Sequence, residues 1–186
     1  MKQFRVYRGV PFFTALVFVC SLIYQQSTYA SPFGQGLFNA DVPFGGNTTL
    51  SIALGGNVSL GLTSSGGNLS GSGSHTVTVT STDVIGYKLY AFAPSSTAMT
   101  SGAETIPASA NSSLATLSIN TWGYNTTGST SNFMGMRTTP SLIKDATGPF
   151  KSGDSTTITY GALTDVTKAA GSYSVGVVYT AVAENE

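Results

Sequence analysis

The sequence predicts an all-β fold, an antiparallel immunoglobulin-like β-sandwich behind an N-terminal signal peptide. Three observations carry this. Apolar and polar residues alternate in many short runs, the period of a half-buried strand. Clusters of Gly, Asn, Ser and Pro separate those runs, as turns between strands require. No stretch keeps a sustained helical period.

The composition narrows the function classes. The chain has 186 residues, 9% of them charged, with 22 glycines and a single cysteine. A typical soluble domain is about a quarter charged. Here Ser and Thr fill the gap, with 47 of them after residue 30. A nucleic-acid binder would show a Lys/Arg excess, which is missing. A disulfide scaffold needs paired cysteines. Disorder is not expected from a chain this rich in Val, Ile, Leu and aromatics.

Residues 1–30 read as a secretory signal peptide. Lys2, Arg5 and Arg8 form the basic start, and an apolar run follows over residues 10–23. Those 14 residues fall short of the roughly 20 that span a membrane. Thr28 and Ala30 place small residues for cleavage before Ser31. Cys20 follows the bulky Val19, where lipoprotein signals carry Gly or Ala, so lipid attachment is not expected. The remaining chain has no cysteine and keeps five basic residues against eight acidic ones. It is expected to be mildly acidic, to need no disulfide, and to have no membrane span once the leader is removed.

Residues 31–46 form an apolar arm broken by Gly and Pro, with Phe33, Leu37, Phe38 and Phe44 as its large side chains. An exposed apolar arm is costly unless it docks. Residues 47–186 read as one sandwich domain. Its first expected strand covers residues 48–54, with Leu50, Ile52 and Leu54 on one face. The second covers 58–62 (Val58, Leu60, Leu62), and residues 76–80 alternate valine with threonine. Residues 86–92 put Tyr87, Leu89 and Ala91 on one side. Residues 114–119 and 122–124 suggest a further pair, and 156–160 a β-branched strand. The longest expected strand covers 172–183, with Tyr173, Val175, Val177, Tyr179 and Ala181 on one face.

A Gly-Gly-Asn triplet recurs at Gly45, Gly55 and Gly66, a spacing of one strand plus one turn. The triplet suits tight hairpins because it tolerates positive φ. A calcium-binding β-roll repeat would need a regular aspartate, which is missing. The triplets also create Asn-x-Ser/Thr sequons at Asn47, Asn57 and Asn68, and Asn111 and Asn125 add two more. In so hydroxyl-rich a chain such sequons arise by composition.

Asp165, Gly171 and Tyr173 resemble the tyrosine corner of immunoglobulin-like sandwiches, in which a phenol bonds back to upstream backbone. Val175 stands where antibody domains carry a cysteine, and Asp165 is spaced more widely than in antibodies. The ordered motifs Gly86-Tyr87-Lys88-Leu89-Tyr90, Asn120-Thr121-Trp122-Gly123-Tyr124, Thr159-Tyr160-Gly161, Gly171-Ser172-Tyr173 and Val178-Tyr179-Thr180-Ala181 resemble a family of secreted surface proteins of candidate-phylum bacteria such as the Saccharibacteria. The resemblance implies a surface location and a β-sandwich. It brings no catalytic residues.

Chemistry-bearing clusters are sparse. His75 is the only histidine, which excludes His/Cys metal sites and leaves little room for a His-based triad. Asp145, Asp154 and Asp165 are spaced too irregularly for a known calcium loop. No cofactor, no nucleic acid and no catalysis are expected. The leading expectation is a secreted, non-catalytic structural or adhesive protein that self-associates by β-strand addition, through sheet edges or the arm. Trp122 and Tyr124 are alternate residues that share a face, which reads first as core, with Trp122 filling the sandwich; the alternative function is a module binding surface glycans on that face. A glycosidase-like enzyme, needing a carboxylate pair across a cleft, comes third.

Overall fold

A computed structural model describes residues 48–185. The arm residues Phe33, Leu37, Phe38 and Phe44 and the leader lie outside the described residues. The described chain is all-β and antiparallel, with no helix. It comprises β1 (Thr49–Leu54), β2 (Thr63–Ser65), β3 (Asn68–Thr82), β4 (Gly86–Phe92), β5 (Met99–Ser101), β6 (Glu104–Ile106), β7 (Thr121–Asn125), β8 (Ser141–Thr147), β9 (Asp154–Asp165) and β10 (Val178–Glu184).

One sheet runs β1-β3-β9-β7, with β2 paired to part of β3. A second runs β10-β4-β8, and β5 with β6 makes a small hairpin. Register fixes which side chains meet. Val77 and Val79 of β3, Ile158, Tyr160 and Ala162 of β9, and Trp122 and Tyr124 of β7 share one face. Tyr87, Leu89 and Ala91 of β4 face them, with Tyr179 and Ala181 of β10 beside. All form one buried core, in the manner of a β-sandwich.

Three part-buried polar contacts are satisfied by geometry. The Tyr87 hydroxyl donates to Asp154 at 2.8 Å, and Lys144 Nζ reaches the other Asp154 oxygen at 2.7 Å. The Trp122 indole N–H donates to the Thr97 carbonyl at 2.8 Å.

Several expected elements appear where the alternation put them: β1, β4 and β7, and the middles of β3 and β9. The Gly66-Gly67 pair makes a two-residue hairpin turn between β2 and β3, with φ of 61° and 85°. Positive φ at both central positions is the geometry whose twist suits a hairpin.

Three expected strands need correction. Residues 58–62 are in no strand. They lie across β3 instead, where Gly71 and Gly73 lack the Cβ that would meet Gly61, Ser59 and Val58. Residues 114–119 form only the bridge of Ala115 with Phe133. The Asn111 amide holds that loop by donating to the carbonyls of Ala115, Thr116 and Phe133. The run 172–183 is a strand only from Val178, since β4 ends at Phe92, and before it only Ser174 pairs, in a single bridge with Thr100. Conversely, β8 is unexpected from pattern. Its Lys144-Asp145 pair and a register shift opposite Leu89 and Tyr90 break the alternation.

Candidate functional site

The two sheets differ in length, and that difference creates the site. β3 has 15 residues and β9 has 12, whereas β4, β8 and β10 have seven each. The long sheet therefore projects past the short one. Its overhanging inner face carries Gly71, Gly73 and His75 of β3 and Ala162 of β9, at the side of Tyr160 and Trp122.

Two extended segments border this overhang instead of a strand of the second sheet. Residues 56–62 contribute Val58, Leu60 and Leu62. Residues 171–177 contribute Tyr173, Val175 and Val177. Between them lies an open groove of about 770 Å³, with Trp122, Tyr160 and His75 in its lining. Leu54, inward-facing at the end of β1, is 55% exposed at its rim.

Among the described residues, the main chain of 57–62 makes no hydrogen bond to other main chain. In 171–177 only Ser174 does, exchanging both bonds with Thr100 at 2.9 and 3.1 Å. Alternating apolar side chains beside unpaired main chain are what an incoming strand recognises.

The floor is a directed hydrogen-bond chain. His75 Nδ1 lies 2.9 Å from the Gly56 carbonyl and Nε2 2.8 Å from the Tyr179 hydroxyl, which in turn contacts the Tyr160 hydroxyl. A carbonyl only accepts, so Nδ1 carries the proton. In the neutral ring Nε2 then accepts from Tyr179, and Tyr160 donates to Tyr179. His75 thus ties segment 56–62 to β10. Burial pushes the Tyr179 hydroxyl up to about 12, and burial with Tyr179 alongside raises Tyr160 further. Both phenols stay protonated at neutral pH and serve as hydrogen-bonding groups.

Local contacts set the second wall. The Tyr173 hydroxyl donates to the Ala169 carbonyl at 2.8 Å. Lys168 sits 5.9 Å from the Tyr173 ring centroid and bonds Glu104 at 2.8 Å. A side chain at Gly171 would run into Ser101. Asp165 accepts from the Thr167 N–H and hydroxyl at 2.8 and 2.6 Å and from the Asn120 amide at 2.7 Å. These hydrogen bonds hold its carboxyl below the usual carboxylate range.

Trp122 and Tyr124 take the core role that the sequence favours over a glycan platform. They share a face, as the spacing implies, and that face is the core: Trp122 is 0% and Tyr124 3% exposed. Neither ring offers a sugar a stacking surface. The reason is register, since Trp122 pairs with Ala162 and Tyr124 with Tyr160, both inward on β9. The aspartates are not brought together either. Asp145 lies near Lys88, Asp154 binds Tyr87 and Lys144, and Asp165 binds Asn120 and Thr167. Among the described residues no three His, Cys, Asp or Glu side chains gather as a metal site.

Sequence reasoning missed the groove. Val58, Leu60, Leu62, Val175 and Val177 were legible as alternating strand faces, and the signal that they lack partners lies in distant strand lengths. Comparison of the chain with family models, characterised proteins and solved structures returned no match.

Proposed function

We propose that this chain is a secreted, non-catalytic cell-surface protein of structural or adhesive role, built on an immunoglobulin-like sandwich and assembling by β-strand addition. The observation that carries the reading is the groove, whose two walls present alternating apolar side chains and unpaired main chain. A sandwich left open in this way gains stability from a partner strand, and exported chains meet such partners outside the cell. The phenol-to-carbonyl bond of Tyr173 supports the immunoglobulin-like type. The leader pattern and the motif resemblance support the surface location.

Oligomeric mass tests the proposal. Light scattering on the exported chain should give a mass above the monomer that rises with concentration. Removing residues 31–46 should return it to a monomer of lower stability. Two monomers of equal stability would end the assembly reading.

A further inference from the structure

The geometry points to an amide cross-link that the domain forms between its own two sheets, joining Lys144 Nζ to Asp154 Cγ. Both side chains face inward. Lys144 of β8 pairs with Leu89, and Asp154 of β9 pairs with Val79, and both partners are fully buried. Residues directly opposite in an antiparallel pair share a face, so Lys144 and Asp154 approach each other from opposite sheets. A bulge produces this on the lysine side. The register shift between Leu89 and Tyr90 leaves Ile143 as the extra residue of β8, and such a residue re-aims its neighbour. Lys144 Nζ lies 2.7 Å from Asp154 Oδ1, and the two side chains are only 26% and 18% exposed. An ion pair taken this far from water returns little stability. Joined as an amide, the same two groups carry no charge to desolvate. Residues 31–186 hold no cysteine, so no disulfide can join the sheets in its place.

The neighbouring groups fit the reaction. The Tyr87 hydroxyl donates to Asp154 Oδ2 at 2.8 Å. Burial, with Asp154 alongside, raises its phenol above the usual tyrosine value, so it stays a donor. The Thr156 hydroxyl is buried on the same inner face, opposite Val77, with no partner among the described residues. A proton first passes from Nζ to Oδ1 across their contact, leaving a neutral amine and a neutral acid. The Nζ lone pair then attacks Cγ, and the Tyr87 bond stabilises the charge that develops on Oδ2. Nζ gives a second proton to Oδ1, the Cγ–Oδ1 bond breaks, and Oδ2 regains its double bond. One water leaves, and no oxidant or other reactant is consumed. The reaction runs once per chain and turns over no substrate. Val79 lies toward the end of β3, whereas Gly71 and Gly73 lie near its start. The link therefore clamps the sheets at the end away from the groove, and it stands independently of the assembly reading.

Intact mass of the purified full chain, measured in denaturant, tests this. The expected main species is one water lighter than its sequence requires. Lys144→Arg should have its full mass, because a guanidinium keeps its protons and cannot attack. Trypsin does not cut after an acylated lysine. The linked chain should therefore yield residues 138–151 joined to residues 152–168, less one water. A main species at full mass overturns the proposal. So does a lost water that persists in Lys144→Arg, or that leaves Lys144 open to trypsin, since ring closure at Asp154-Ser155 would do the same. Should Lys144→Arg fail to fold, the tryptic peptides of the unaltered chain decide the matter alone.

Discussion

Trp122→Ala is expected to destabilise the chain by about 3–5 kcal/mol, the range for removing a buried large aromatic. The ring is fully buried, lies 6.2 Å from the Tyr160 ring, and donates its N–H to the Thr97 carbonyl. A domain of this size is stable by about 5–15 kcal/mol, so the variant sits near the unfolding threshold. Trp122→Phe keeps most of the apolar area and loses the hydrogen bond, for a smaller loss of about 1–2 kcal/mol. Urea unfolding followed by far-ultraviolet circular dichroism measures both. A Trp122→Ala cost below about 1 kcal/mol would mean the ring is not a core residue. It would also reopen the stacking-platform reading that burial removes.

Alkaline unfolding is the second large effect. Burial holds the phenols of Tyr160, Tyr87 and Tyr179 above the usual tyrosine value, with Tyr179 at about 12. Below pH 10, the unfolded value, both states keep the proton and nothing is lost. Above it the unfolded chain releases the proton and the folded chain does not. Stability therefore falls as pH rises from about 10, through about 12 for Tyr179 and further for the other two. Each proton held back costs up to about 1.4 kcal/mol per pH unit. Tyr160 alone then removes about 2 kcal/mol between pH 10 and pH 12, and Tyr87 and Tyr179 act in the same direction. The expected result is cooperative unfolding in that window, with tyrosinate absorbance appearing together with loss of the sheet signal. Tyr160→Phe should flatten the pH dependence. Tyrosines that titrate near 10 while the fold persists would contradict the burial of this cluster.

The fold was legible where a strand is bounded by local signals. β4 matches its alternating run at both ends, and Gly66-Gly67 marks its own turn. It was not legible where pairing is set by distant chain. The Ser-Gly-Ser-Gly stretch that opens β3 has poor strand propensity, yet β9 pairs with it residue by residue from Asn68 to Val79. Strand propensity mostly reports packing against neighbours, so such a stretch follows its partner. The opposite holds for residues 58–62 and 172–177, which carry good strand patterns yet, among the described residues, find no partner beyond the single bridge of Ser174 with Thr100. The bond from Tyr173 to Ala169 is local, spanning four residues, and so lies within reach of sequence reading. The core placement of Trp122 was readable from its alternation with Tyr124, but its partners were not, because they depend on the register of β7 against β9.

These mismatches bear directly on function. Alternating side chains over a groove mark the place where a strand is missing, and the low charge of the chain does little to keep another strand away. In the proposed assembly the walls, unpaired among the described residues, become paired when copies associate. Hydrogen exchange at the main-chain amides of residues 57–62 and 171–177, followed against protein concentration, tests it most directly. The account predicts fast exchange in dilute chain and strong protection in concentrated chain, lost again when residues 31–46 are removed. Exchange in both segments that stays equally fast at every concentration would contradict it.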